Sequence, residues 1–276
     1  MTIHLPVLLE SNELFSRDIA ADTYDGSREI SRYLLMHYGT ATDVFDDPGH
    51  PLAAAHGFPL RLSRVLESAA RRNGLLVARM LDAGCNVGGV THELSGWVEQ
   101  LVVGVDLSER AVEIARTIAV SGGGTYSIAE LGPFTREMEL RVPAVESRAA
   151  VRFEVGDAGA LETGDGPYDA VLLSNVLDRV GDPAACLGQF TDDDSLLRPG
   201  GMLAVACPWS WLPEYSDSRR WLGSPDEHVN SERALKSLLS GRGFALADEV
   251  NLDGVLRQNA REYDYFDAHV TVWIKN

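Results

Sequence analysis

The segment that most restricts the fold is a glycine-rich turn, Asp82-Ala83-Gly84-Cys85-Asn86-Val87-Gly88-Gly89. It follows an apolar stretch at residues 77–81 and precedes a helical pattern over residues 90–98. An apolar run ahead of glycines reads as a buried strand, and the glycines let the backbone turn sharply and admit a ligand close to it. The rhythm then repeats. Residues 101–105 predict a second strand closed by Asp106, and Ser108 is a good N-cap for a helix reaching about Val120. Residues 151–155, 168–173 and 202–206 predict three more strands, the last after the turn Arg198-Pro199-Gly200-Gly201. Strands alternating with helices imply a parallel sheet with right-handed crossovers. Residues 244–252 and 268–274 read as two further strands with no helix between them, so the sheet is expected to end in an antiparallel hairpin.

Ahead of this core, residues 1–75 predict an N-terminal helical cap. Ile30, Tyr33, Leu34 and His37 recur at helical spacing and stop at Gly39, and a helix over residues 60–72 stops at Asn73-Gly74. Residues 121–150, rich in glycine and charge with Pro133 and Pro143, break the repeat. They read as an insertion, either part of a lid or a surface excursion. No internal repeat is present, and residues 1–276 are expected to form one domain whose core spans 76–276.

The charge is strongly one-sided: 41 acidic against 24 basic residues, a formal net charge of −17. Such a surface repels phosphate backbones and anionic lipid, which argues against nucleic acid and membrane as partners. No stretch approaches the roughly 18 consecutive apolar residues of a membrane span, and the start, Met1-Thr2-Ile3-His4-Leu5-Pro6, lacks a basic, then apolar leader. Three scattered cysteines, Cys85, Cys186 and Cys207, have no metal-ligand spacing. They suggest a reducing cytoplasm, no disulfides and no metal. Against so acidic a background, an arginine near a pocket is a natural partner for a substrate carboxylate.

In an open α/β sheet the ligand sits beyond the carboxyl ends of the strands, where the strand order reverses. Gly84, Cys85, Asn86 and Gly88 would cradle it. Asn86 stands where a methyltransferase turn usually has glycine, and asparagine tolerates positive φ. The Gly-x-Gly-x-x-Gly spacing of dinucleotide enzymes is absent. Asp106 can accept both ribose hydroxyls, with Leu107 beside it. Asp157 in Gly156-Asp157-Ala158 can accept from the adenine amino group, the Ala158 N–H facing the ring. Asp82 can meet the ammonium of a methionine moiety. Each aspartate alone fits a turn or cap residue, but their order at successive strand ends points to S-adenosylmethionine. With the closing hairpin, the pattern resembles the Rossmann-like class I methyltransferases, an α/β fold with a mostly parallel seven-stranded sheet.

After the fourth strand comes Ser174-Asn175-Val176-Leu177-Asp178-Arg179, running on to Pro183. It resembles the Asn-Leu-Leu-Asp-Arg segment of two histidine-directed groups: the C-terminal methyltransferase domain of ovothiol synthases, a 4-mercaptohistidine N-methyltransferase, and the protein-histidine N-pros-methyltransferases. The first resemblance extends to Tyr33-Leu34-Leu35-Met36-His37-Tyr38-Gly39, Phe58-Pro59-Leu60-Arg61 and the insertion. It also takes in Cys207-Pro208-Trp209-Ser210-Trp211-Leu212, Trp221-Leu222-Gly223, the run Arg257-Gln258-Asn259-Ala260-Arg261 and Val270-Thr271-Val272-Trp273. It therefore covers most of the chain from about residue 24. The family domain is usually fused behind a sulfoxide-synthase iron domain, so a free-standing form would take mercaptohistidine from a separate synthase, or a selenium analogue.

The resemblance implies methylation of the imidazole of a thiol- or selenol-substituted histidine. An imidazole attacks through its unprotonated nitrogen, and a carboxylate that accepts the other N–H fixes tautomer and ring direction. Asp178 is the candidate, with Asn175 placing the donor methyl or the ring. Tyr265 falls near a tyrosine of the protein-histidine family that contacts the target ring. For the amino-acid carboxylate the candidates are Arg257, favoured by its place on the tail, then Arg261, Arg61 and Arg28. Tyr24, Tyr38 and Trp211 could wall the pocket, although aromatics at such spacing also serve as core. A protein or peptide histidine methyltransferase and a non-catalytic cofactor-binding module are the competing readings. No oligomeric state follows from the sequence.

Overall fold

The computed structural model describes residues 26–144, 148–162, 166–192 and 194–276. The chain begins with three helices, α1 (Ser27–Tyr38), α2 (Ala41–Val44) and α3 (Phe58–Arg72). The core then runs β1 (Arg79–Ala83), α4 (Gly89–Leu94), β2 (Leu101–Asp106) and α5 (Glu109–Ser121). An excursion follows as β3 (Gly123–Ala129) and β4 (Thr135–Arg141), and the core resumes with β5 (Ala150–Val155), β6 (Tyr168–Ser174), α6 (Pro183–Thr191) and β7 (Leu197–Cys207). It ends with α7 (Ser231–Gly241), β8 (Phe244–Asn259) and β9 (Glu262–Lys275).

Met80, Leu81 and Ala83 are fully buried, so β1 must be covered on both faces. It occupies the middle of a seven-stranded sheet of order β5-β2-β1-β6-β7-β9-β8. The first five strands of that order are parallel; β9 runs antiparallel to β7 and to β8. The chain steps outward from β1 to β2 to β5, then returns to β6 on the other side of β1. The carboxyl ends of β1 and β6 therefore flank the switch point, where α/β folds bind ligands. One apolar layer packs α3 and α4 against the sheet, with Leu62, Leu66, Met80, Leu94 and Val272 among its members. The opposite layer packs α6 and α7, with Leu81, Leu173, Leu187, Leu239 and Trp273.

The predicted caps hold. Ser108 Oγ accepts from Ala111 N at 3.0 Å, and α3 ends at Asn73 ahead of a left-handed Gly74. Three boundaries differ. The helix after the glycine turn stops at Leu94 rather than residue 98, and Ser95 Oγ donates to His92 O as it ends. The terminal strands are about twice as long as their apolar patterns, because the distal half of the β8–β9 hairpin leaves the sheet and packs on the N-terminal helices instead. The insertion forms the two-stranded antiparallel sheet β3–β4. Its Tyr126, Ile128, Met138 and Leu140 are buried with Ile30, Leu34 and Leu35 of α1 and with Val255 of β8. It is thus a packing platform for the cap rather than a solvent-facing excursion. Among the described residues, no helix is long and apolar enough to cross a membrane.

Leu34 is fully buried where α1, the β3–β4 platform and β8 meet. Leu34→Ala is expected to cost about 2–5 kcal/mol in urea unfolding. A loss below about 1 kcal/mol would mean that the cap unfolds independently of the core.

Candidate active site

After β1 the backbone must turn at once. Gly84 has φ +87°, and a Cβ there would lie 2.0 Å from Val176 Cγ2, so only glycine fits. Its N–H and that of Cys85 both donate to Val105 O, at 2.7 and 3.0 Å. Asn86 N donates to Asp106 Oδ2 at 2.8 Å. Asn86 itself is left-handed, φ 47°, and its Oδ1 accepts the next amide, Val87 N, at 2.8 Å. The asparagine therefore keeps the turn and adds an acceptor that glycine lacks.

The predicted cofactor residues lie along the carboxyl edge of the adjacent strands β1, β2 and β5. Asp82 is fully buried, with Oδ2 accepting from Thr91 Oγ1 at 2.7 Å and Oδ1 without a partner. Burial, and then the neighbouring Asp106, push its carboxyl up to about 7 against the opposing Thr91 bond. Asp106 accepts from Ser108 N at 2.9 Å through Oδ1, and its carbonyl accepts from Gly156 N at 2.9 Å, which ties the β2 and β5 ends together. Asp157 is exposed and accepts from Gly159 N at 2.7 Å, next to buried Ala158; Leu107 is 71% exposed beside Asp106. A half-satisfied buried carboxylate followed by a glycine turn suits a cationic, adenosyl-bearing ligand.

Across the switch point, Asn175 follows β6 with φ 55° and an unpartnered, buried Oδ1. Non-glycine residues in this region store strain, which clusters at functional sites. Asp178 is 1% exposed. Its Oδ2 accepts from Ser210 N at 2.9 Å and Ser210 Oγ at 3.0 Å, and Arg179 Nη1 lies 3.1 Å away. Its Oδ1 is buried without a partner. Trp209, just before Ser210, is also left-handed at φ 55°, so strained residues follow β1, β6 and β7, three neighbours in the sheet.

A family model described as a methyltransferase domain matches residues 54–249. The chain belongs to that family. It is 31% identical over 161 residues to the ubiquinone biosynthesis O-methyltransferase of Xanthomonas campestris pv. campestris (strain B100), covering 58% of this chain and 53% of that protein. The chain thus spans about half the length of the curated relatives it matches. Among solved structures, magnesium protoporphyrin IX methyltransferase ChlM from Synechocystis PCC 6803 with bound SAM covers 94% of this chain and 100% of its own, at TM-score 0.51 and 17% identity. N-methyltransferase NodS from Bradyrhizobium japonicum WM9, in complex with S-adenosyl-L-homocysteine, covers 87% and 98% at TM-score 0.50 and 14% identity. These two likenesses are likenesses of fold.

In this methyltransferase the arginines expected to hold a substrate carboxylate are largely committed. Arg257 is buried, with Nη2 3.0 Å from both oxygens of Glu130 and Nη1 donating to Val44 O at 3.0 Å. Its fork is closed by the chain's own carboxylate, which corrects the preference for it. Arg61 likewise pairs with Asp253 at 2.7 Å and donates to the carbonyls of Ala55 and Asp253. Arg28 lines a cavity of about 10 Å³ with Ser31, Arg32 and Arg257, room for one water. Arg261 is exposed at the hairpin turn. Tyr265 is 53% exposed on β9. Tyr38 donates to Val87 O at 2.9 Å, which ties its hydroxyl to the turn after β1. Trp211 stacks on Trp221 at 5.8 Å and donates to Ser231 Oγ, forming a satellite cluster. Tyr24 lies outside the described residues. Thr91 carries no sequence signal and Ser210 only its place in the resembling segment 207–212; the fold alone sets them beside Asp82 and Asp178.

Removing one partner of a fully buried pair costs about 3–5 kcal/mol; here Glu130 is partly exposed and Asp46 stays 3.5 Å from Arg257 Nη1, which lessens that loss. Glu130→Ala is expected to lower the melting midpoint by roughly 10 °C. A variant with an unchanged midpoint and a raised substrate KM would instead return Arg257 to the substrate.

Proposed function

We propose that this methyltransferase is an S-adenosylmethionine-dependent N-methyltransferase acting on the imidazole of a thiol- or selenol-substituted histidine. The observation that carries the substrate reading is Asp178: a buried carboxylate beside the Cys207 thiol, with one oxygen gripped by Ser210 and Arg179 and Oδ1 without a hydrogen-bond partner. An unmet buried acceptor is costly, and a ring N–H would satisfy it. The Asn175 to Arg179 segment and its resemblance to histidine-directed enzymes support the same choice.

Asp82 would take the ammonium of the methionine moiety, Asp106 the ribose hydroxyls, and Asp157, Ala158 and Leu107 the adenine. Bound there, S-adenosylmethionine supplies a methyl carbon that leaves its sulfonium sulfur as the ring nitrogen's lone pair bonds to it. Asp178 accepts the N–H of one ring nitrogen, so the other keeps its lone pair free, and the carboxylate stabilises the positive charge that grows on the ring. Asn175 orients the ring or the donor at the switch point. Positioning of this kind contributes roughly 7–11 kcal/mol in ideal cases.

The test incubates the protein with S-adenosylmethionine and, separately, histidine, 4-mercaptohistidine and its selenium analogue, following product mass. One added methyl on a nitrogen of a chalcogen-bearing histidine, with histidine inert, is the expected result. Cofactor binding without transfer to any of them overturns the substrate, and transfer only to an oxygen acceptor would favour the chemistry named for the Xanthomonas relative. Asp178→Asn should keep cofactor affinity and lose about a hundredfold or more in kcat.

Asp82 gives a pH dependence. Its raised carboxyl favours the protonated folded form, so in the ligand-free protein its contribution to stability is full below about pH 4 and is lost as pH rises through about 7. An ammonium ligand needs the carboxylate. Affinity for S-adenosylhomocysteine should therefore weaken as pH falls from about 8 to about 6 and level off above. Asp82→Asn should flatten that profile.

A further inference from the structure

The amides of the turn after β1 find acceptors within the turn or on β2 up to Gly88, whose N–H donates to Cys85 O at 2.9 Å. Gly89 differs. It is the first residue of α4, where helix N–H groups lack intrahelical partners, and the N-cap, Gly88, has no side chain with which to cap them. The acceptor comes from α1 instead: His37 Nδ1 accepts the Gly89 N–H at 3.0 Å. The next residue of α1 takes the other half of the turn, Tyr38 Oη donating to Val87 O at 2.9 Å. Two consecutive side chains, some fifty positions away in sequence, thus hold one donor and one acceptor of the same loop.

The chemistry of both groups suits these roles. Burial holds the His37 imidazole down to about 4, so Nδ1 keeps its lone pair at neutral pH. Burial raises the Tyr38 phenol well above its ordinary range, so it keeps its proton. The approach is tight: a Cβ on Gly89 would stand 2.4 Å from His37 Cβ. The Tyr38 ring also meets His92 of α4 edge-on at 6.1 Å. The far end of α1 is fixed by Arg110 of α5 donating to Ser27 Oγ at 2.7 Å, and its middle by Arg32 pairing with Asp264 of β9.

We infer that His37 and Tyr38 are positioning residues for the cofactor. They hold the far end of the turn in its ligand-ready shape and make α1, with the cap built on it, part of the cofactor site. Neither residue needs to touch the ligand. Cofactor binding and cap docking then strengthen each other, since each orders the loop that the other uses. The inference rests on reading this turn as the S-adenosylmethionine site.

Calorimetric titration with S-adenosylhomocysteine tests it without turnover. His37→Leu, which leaves the Gly89 N–H without an acceptor, should bind about tenfold more weakly, and Tyr38→Phe about fivefold. His37→Asn offers Oδ1 near the position of Nδ1 and should recover to within about twofold of the wild type. In steady state the KM for S-adenosylmethionine should rise while kcat at saturation holds, a split that a general loss of packing would not give. Folded Tyr38→Phe and His37→Leu proteins with wild-type affinity overturn the inference, as does a His37→Asn protein no better than His37→Leu. If His37→Leu does not fold, Tyr38→Phe and His37→Asn decide alone. Wild-type protein that binds neither S-adenosylmethionine nor S-adenosylhomocysteine overturns the proposed function, and this inference with it. Normal wild-type binding with unaffected variants overturns only the inference.

Discussion

Backbone N–H groups that leave a sheet must find acceptors elsewhere, and after β1 every amide from Gly84 to Gly89 does so within one tight turn. The acceptors come from three sources: Val105 O and Asp106 on β2, Cys85 O and Asn86 Oδ1 within the turn, and His37 on α1. Each source constrains a different part of the molecule. β2 must lie in register with β1 for Val105 to receive two amides, Asp106 must close that strand, and α1 must dock against α4. The short turn therefore fixes the relation of the sheet to the helical cap.

The buried charges separate scaffold from site. Arg257 has both Nη groups taken by Glu130 and the α2 carbonyls, leaving only Nε unpartnered, and the insertion, α2 and the terminal hairpin are held together through it. Asp82 and Asp178 are the buried acids among the described residues, and each has one oxygen bonded and one without a hydrogen-bond partner. Both stand at carboxyl ends of strands flanking the switch point. A closed pair stabilises the apo fold, whereas a half-closed carboxylate is stabilised further only when a donor arrives. A donor that reaches either half-closed acid would therefore add to the stability of the bound state.

Much of this was legible in the sequence because it follows from local chemistry. The alternation of apolar runs with helices predicted five parallel strands and a closing hairpin, Ser108 announced its cap, and Asn86 announced a left-handed turn. What stayed hidden depends on partners distant in sequence. The distal hairpin does not alternate cleanly, since residues such as Asp253, Arg257 and Asp264 bond to the cap instead of facing a uniform core or solvent. The insertion shows no helical or simple strand signal because one face packs on α1. The arginines could not be ranked, because whether a guanidinium is open depends on which carboxylate the fold sets beside it. His37 reads as a packing residue and Tyr38 as a pocket wall or core aromatic, and only the docking of α1 on α4 gives them backbone partners.

β8 is the last strand of the sheet, sixteen residues long, and such an edge presents unpaired main-chain groups on which a strand from another molecule can pair. Here α3 guards it. Arg72 pairs with Asp248, and Arg61 grips Asp253 through both its carboxylate and its main-chain carbonyl. The acidic side chains of β8 tie the strand to α3. An arginine that the sequence suggested as a substrate hand thus occupies a main-chain carbonyl of the outermost strand, the kind of group through which a sheet edge pairs with another strand.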